Sequence, residues 1–196
     1  PTPMRLRRDA LQAATALMQE VVATAMDEQP DGRGTVGYVQ VYPNSRNVIP
    51  GKVVFTVDFR HANDEGLSRM DARLRQACTA AQAGGRVQVQ VEHAVYYPPA
   101  HFAPELVAAV RHGAERAGLP HVDIVSGAGH DAVYVARTAP TSMIFVPCIG
   151  GISHNEIEDA KPEWIEAGGN VLFRAMLAKA NELPVVGQSS ESVALA

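Results

Sequence analysis

Pro50-Gly51-Lys52-Val53-Val54-Phe55-Thr56-Val57-Asp58-Phe59-Arg60 decides the fold of the first half of the chain. A Pro-Gly turn signal opens it, and the β-branched and aromatic run that follows suits a pleated, half-buried surface. Just upstream, Val36, Tyr38, Gln40 and Tyr42 alternate with Gly37, Val39 and Val41 and stop at Pro43-Asn44, which predicts another strand. Further toward the N-terminus, Thr2 followed by Pro3 reads as an N-cap with proline at the first helical position. Leu6, Ala10, Ala13, Ala14, Leu17 and Val21 then recur at helical spacing, predicting a helix over 3–27 that Asp31-Gly32-Arg33-Gly34 breaks.

On the other side, Leu67, Met70, Leu74, Ala77 and Cys78 mark a second amphipathic helix closed by Gly84-Gly85. Val87, Val89 and Val91 alternate with Gln88, Gln90 and Glu92 as a third strand. The order is therefore α-β-β-α-β, a split β-α-β fold without its opening strand. Two helices would cover one face of an open antiparallel sheet whose edge is available to a second copy. After Pro98-Pro99 the pattern becomes a helix near 103–117, a strand near 122–125 and a Gly-rich turn. A helix near 131–137, a strand at 142–146, a loop and a helix over about 162–181 follow. Two buried strands need neighbours, so residues 99–184 are expected to complete a larger α/β sheet, after a first unit at 1–98 and before a flexible tail at 185–196.

The composition fits one domain or two small ones: 196 residues, 46% apolar and 19% charged. No stretch approaches the ~20 apolar residues that span a bilayer, and 17 Lys+Arg against 21 Asp+Glu give a net charge of −4. A membrane span is excluded, and nucleic acid is not the expected partner. Cys78 and Cys148 form no C-x-x-C pair, which points to a reducing cytoplasm rather than a disulfide framework or thiolate zinc site. The opening Pro1-Thr2-Pro3 has neither an initiator Met nor a signal-peptide layout, so a piece of a longer protein is expected.

Four stretches carry polar residues where chemistry is plausible. Ser126-Gly127-Ala128-Gly129-His130-Asp131-Ala132 matches G-x-G-x-x-A, but no acidic residue follows the next strand to hold a ribose. A tight turn or a substrate-contacting loop are the readings left, with His130-Asp131 as a weaker acid/base pair. Gly150-Gly151-Ile152-Ser153-His154-Asn155-Glu156 follows an apolar strand, which puts His154 where open α/β sheets place their sites. Its imidazole suits zinc or manganese, with Asn155 or Glu156 able to orient it. His61, His93, His101, His112 and His121 have no metal-ligand spacing. Asn44, Arg46, Asn47 and Arg60 flank the second strand. Arg60 either clamps a substrate carboxylate or pairs with Asp58. Arg5, Arg7 and Arg8 read as a solvated helix face, with Arg5 facing Asp9 at i,i+4.

Thr2-Pro3-Met4-Arg5, the run Pro43 to Gly51, Asp58-Phe59-Arg60, Ser126 to Ala132 and Gly150 to Glu156, in that order, resemble the N-carbamoyl-L-amino-acid hydrolase, allantoate amidohydrolase and β-ureidopropionase group. That group belongs to the aminoacylase/dipeptidase-type metallopeptidase superfamily, and the likeness covers its C-terminal half only. The resemblance implies a ferredoxin-like lid and dimerisation domain at 1–98, then the C-terminal segment of an α/β metallohydrolase catalytic domain at 99–184. It implies His154 as a metal ligand, and Asn47, Arg60, Gly127 and His130 as substrate-binding residues, with Asn47 or Arg60 able to serve the site of a partner subunit. Two divalent ions (zinc, manganese or cobalt) are implied for the full-length enzyme, of which this chain supplies one ligand and no catalytic residue. The other ligands and the general base belong upstream in the family. The implied reaction is hydrolysis of N-carbamoyl-L-amino acids to amino acid, ammonia and carbon dioxide by a homodimer, the chain alone being inactive. The alternatives are a non-catalytic dimerisation or small-ligand-binding module, and a related dipeptidase or aminoacylase.

Overall fold

In the computed structural model, which describes residues 2–182, the elements are α1 (Ala10–Asp27), β1 (Arg33–Tyr42), β2 (Lys52–Arg60), α2 (Asp64–Ala83), α3 (Pro104–Arg116), α4 (Asp131–Val135) and α5 (Pro162–Glu182). They fall into two units. One holds the residues up to Pro99 together with Val125–Ala128; the other holds Ala100–Ile124 and the residues from Gly129 onward. The tail expected at 185–196 lies outside the described residues.

The first helix starts later than its periodicity predicts. Met4–Leu6 make only a 3-10 turn with no side-chain cap, and Arg7 is extended at φ −69°, ψ 140°. Asp9 supplies what Thr2 does not: its Oδ1 accepts the N–H groups of Leu11 and Gln12, both at 3.1 Å. Two of the four orphan donors of the helix start are thereby satisfied. Ala10 N–H donates to Pro50 O at 3.0 Å, which fixes this start against the β1–β2 loop. The Asp9 carboxylate thus caps α1 instead of facing Arg5 across a helical turn.

β1 and β2 pair antiparallel, and an extra residue in β1 shifts the register between Thr35 and Tyr38. Gly34 faces Phe59 before the shift; Val39 faces Phe55 and Val41 faces Val53 after it. Because side chains alternate with period two, one inserted residue moves the inward set from even to odd positions. Gly34 and Val36 therefore share the helix-facing side with Val41, while Tyr38 and Tyr42 point outward, 50% and 41% exposed. In β2 the alternation is unbroken, with Val53, Phe55, Val57 and Phe59 inward.

Over that inner face lie α1 and α2. Leu17, Val21, Leu74 and Cys78 form the buried cluster, and Val36, Phe55, Val57 and Phe59 pack against it. Only glycine fits at 34, where a Cβ would stand 2.9 Å from Val21 O and 3.1 Å from Phe59 Cε1. α2 begins where Asn63 Oδ1 accepts Gly66 N–H at 2.9 Å, with Asp64 and Glu65 in its first turn, and it ends at Gly84 and Gly85. Arg73 of α2 bridges Glu20 and Asp27 of α1 at 2.6 and 2.5 Å, and Arg69 meets Glu28 at 2.7 Å. These pairs are solvent-exposed enough to orient the helices more than to stabilise them.

The third strand expected at 87–91 does not form a ladder: among the described residues the sheet has two strands. Val89 still packs toward the core cluster, and its N–H donates to Gln82 Oε1 at 3.1 Å. The alternation is expressed as a buried face, but a strand also needs a neighbour for its backbone groups, and in a split β-α-β arrangement that neighbour is the opening strand. The same correction applies to 122–125 and 142–146, which form no ladder. Val122, Ile124 and Val125 lie open instead, Val122 at 79%, while in 142–146 only Phe145 does, at 50%, its neighbours being half-buried.

What holds the second unit is α3 against α5. Gly113 and Ala114 of α3 are buried, as are Val171 and Ala175 of α5, and a Cβ on Gly113 would come 3.2 Å from Val171 O. Small residues let the two helices approach closely. α3 terminates on Gly118 at φ 66°, with Leu119 N–H donating to Ala114 O at 3.0 Å. α4 is five residues, shorter than the expected 131–137.

Candidate functional site

Arg60 ends β2 on the outward side, two residues after Asp58, so both side chains project from the same face. Its Nε donates to Asp58 Oδ1 at 3.1 Å and its Nη2 to Asp58 Oδ2 at 2.7 Å, while Nη1 donates to the Gly127 carbonyl at 2.6 Å. The Asp58 carboxyl is held below its ordinary value by the hydrogen bond from Arg60, with burial opposing, and Arg60 is raised by the same bond. Of the five guanidinium N–H groups, these contacts use three. Two remain, in a plane that Asp58 and Gly127 fix and with half of the side chain open to solvent. Sequence reasoning offered a carboxylate clamp or an Asp58 pair for Arg60; the pair is formed and leaves donors over.

Asn47 sits in the loop between β1 and β2, exposed, and its Oδ1 accepts from Ser45 Oγ at 3.4 Å. Val48 N–H to Ser45 O at 3.3 Å and Gly51 N–H to Tyr42 O at 3.1 Å shape that loop. Gly127 lies in a turn where Ser126 Oγ accepts from Ala128 N–H at 3.3 Å.

His130 is the N-cap of α4, and its Nδ1 accepts Ala132 N–H at 3.0 Å. That bond requires Nδ1 to be unprotonated, so the neutral ring carries its proton on Nε2. The G-x-G-x-x-A run opens only this one-turn helix and follows a segment without a ladder, unlike a dinucleotide fingerprint.

His154 stands at the tip of a loop that begins at Cys148, with Gly150 and Gly151 at φ 65° and 70° and His154 itself at φ 53°. Ile149 N–H donates to Asp159 O at 2.7 Å and closes the loop. The residue that engages His154 is Glu158, whose Oε2 accepts the His154 backbone N–H at 2.7 Å. Asn155 and Glu156, the residues expected to orient the imidazole, make no hydrogen bond to it; Asn155 Oδ1 accepts from Ile157 N–H at 3.2 Å. Glu158 was not singled out from sequence, although an acid four residues after a loop histidine was a signal available there. Among the described residues no group of three His, Cys, Asp or Glu side chains could hold a metal ion. The exposed His154 imidazole fits such an ion as a single donor, and a closed site needs about three or four.

This mixed helix and small-sheet α/β chain belongs to peptidase family M20/M25/M40, whose match runs over residues 8–178. It is 45% identical over 179 residues to the N-carbamoyl-L-amino-acid amidohydrolase of Rhizobium meliloti, covering 91% of this chain and 43% of that protein. It is 32% identical to the allantoate amidohydrolase of Bacillus subtilis, covering 87% of this chain and 42% of the relative. The crystal structure of an amidase of the hydantoinase/carbamoylase family from Burkholderia multivorans superposes with a TM-score of 0.90 at 58% identity, over 94% of this chain and 45% of that one. The chain thus spans less than half the length of the relatives it matches.

Proposed function

We propose that the chain is the lid and C-terminal catalytic segment of an amidohydrolase that hydrolyses N-carbamoyl-L-amino acids. Residues 1–98 serve as a ferredoxin-like lid and dimerisation domain, and 99–184 complete the catalytic α/β sheet. One water enters and cleaves one C–N bond of the carbamoyl carbon, the carbamate so formed breaks the second as it loses carbon dioxide, and the free amino acid, ammonia and carbon dioxide leave.

The observation that carries this reading is the Arg60 guanidinium, held by Asp58 and Gly127 O with two N–H groups left over. Two coplanar donors match the two oxygens of a substrate carboxylate. The names of the relatives supply the substrate class. Asn47 and His130 contribute further polar contacts, Asn47 through its amide and His130 through Nε2–H. His154 is one ligand of a pair of divalent ions, zinc, manganese or cobalt, which when bound polarise the carbamoyl carbonyl and lower the pKa of a water. With one donor the chain by itself does not catalyse; in isolation it acts as a dimerisation and carboxylate-binding module in a cytoplasmic homodimer joined through the β1–β2 unit. The exposed Val122, Ile124 and Phe145 side chains suit strands that pair with sheet neighbours outside the described residues.

Ammonia release from a panel of N-carbamoyl-L-amino acids, with manganese or zinc added, tests the reading. The 196-residue chain should give only the metal blank, and the full-length polypeptide that contains it should turn over. A full-length polypeptide that releases no ammonia from any member of the panel would overturn the assignment.

A further inference from the structure

The role assigned to Glu158 rests on the proposed reading of His154 as a metal ligand. We propose that Glu158 is the positioning residue of His154, holding its backbone so that the imidazole points where a divalent ion is bound.

His154 is not glycine, yet its φ is 53°, in the left-handed region that costs an L-residue steric energy. Such a conformation persists only where surrounding contacts over-determine it. The contact is at hand: Glu158 Oε2 accepts the His154 N–H at 2.7 Å, a charge-assisted bond. The other oxygen of the same carboxylate receives the Cys148 thiol at 3.8 Å, so one side chain ties the entrance of the loop to its tip. Glu158 is itself placed by its own N–H, which donates to Asn155 O at 2.9 Å, and by the closure of Ile149 N–H on Asp159 O at 2.7 Å. All these bonds engage the backbone of His154 or its loop. Among the described residues no hydrogen bond engages the ring, which stays available as a donor to a cation. Return of His154 to negative φ would swing its Cα–Cβ bond and carry the imidazole away from its present direction.

The test uses the full-length polypeptide carrying these residues, stripped and titrated with cobalt(II), and reads metal affinity and the visible spectrum of the bound ion. Glu158→Ala should weaken cobalt binding about 10- to 100-fold, as loss of a ligand-orienting partner does, and alter the spectrum at saturation. Glu158→Gln keeps an acceptor oxygen and should restore most of the affinity, a rescue that a merely structural role for the charge would not produce. Should the alanine variant fail to fold, Glu158→Asp carries the same test with an intermediate loss. In the 196-residue chain, amide exchange at His154 should accelerate at least tenfold in Glu158→Ala while the helices keep their circular dichroism. Wild-type cobalt affinity and spectrum in Glu158→Ala, with binding lost in His154→Ala, would overturn the positioning role and leave the ligand standing. Undiminished binding in His154→Ala would instead overturn the reading on which it rests.

Discussion

Replacing Thr24 by valine should stabilise the first unit by about 1 kcal/mol. Thr24 is 1% exposed, among the largest fully buried side chains with Val21 and Met70, and its Oγ1 has no hydrogen-bond partner. Both residues are β-branched and of similar helix propensity, so the backbone cost of α1 hardly changes. What changes is the hydroxyl, a buried polar group left without a partner, which costs roughly 1–3 kcal/mol; the lower end allows for imperfect fit of the new methyl. A cooperative unit of this size should gain about 4–8 °C in Tm per kcal/mol. Urea unfolding followed by circular dichroism checks it: the midpoint should rise with an unchanged m-value. Thr24→Ser is the control, since it keeps the hydroxyl, loses one methyl and should fall by about 0.8 kcal/mol. A valine variant no more stable than the wild type would refute the reasoning, because the hydroxyl would then have a partner worth keeping.

Asp9→Ala removes the carboxylate that caps α1 and should cost about 1 kcal/mol, read as a lower urea midpoint; Asp9→Asn should recover most of it. Of the two cysteines, Cys78 is 6% exposed and its thiol is pushed up by burial, whereas Cys148 is partly exposed; a thiol reagent at pH 8 should label Cys148 quickly and Cys78 only as the unit opens. Arg60→Ala should return the Asp58 carboxyl toward its ordinary value in a carbon-detected NMR titration, because the Arg60 bond is the main cause of its depression. By linkage, whatever stability the pair contributes is present above the ordinary carboxylate range and is lost as pH falls through the lowered value. In the full-length enzyme the same variant should weaken binding of a carbamoyl amino acid about tenfold or more, roughly one to two kcal/mol for a lost charge-assisted hydrogen bond.

The two helices and two strands of the first unit were legible because each buries one periodic face, and periodicity is what burial writes into a sequence. The start of α1 was not, because Thr2-Pro3 and Asp9 are both acceptable beginnings. The choice falls to tertiary detail: the tie of Ala10 N–H to Pro50 O. Residues 87–91, 122–125 and 142–146 show strand-like composition without ladders, since a ladder depends on a neighbouring segment that alternation does not report. For the site, the positions of Arg60, Asn47, Gly127, His130 and His154 on loops or element ends could be read off directly. Their partners could not. Glu158 reaches the His154 amide because three residues of the loop have positive φ, and backbone of that kind leaves its trace in glycines at 150 and 151 but none at a histidine.

The extra residue in β1 sets a phase for the whole strand. Ahead of it, even-numbered residues face the helices; beyond it, odd-numbered ones do. Deleting one residue at 36–37 would heal the ladder, Val36 pairing with Val57 and Tyr38 still with Thr56, and leave every other side chain on its present face, whereas a deletion within 39–41 would turn Tyr38 toward the helices. The 43–51 loop carries no such phase. In alignments of relatives, single-residue gaps should therefore be tolerated between Pro43 and Gly51. A gap at Val36-Gly37 should need no change elsewhere in the strand, while a gap at 39–41 should come with a swap of aromatic and aliphatic residues between it and Gly37, so that this hairpin behaves like a reading frame with one spare letter.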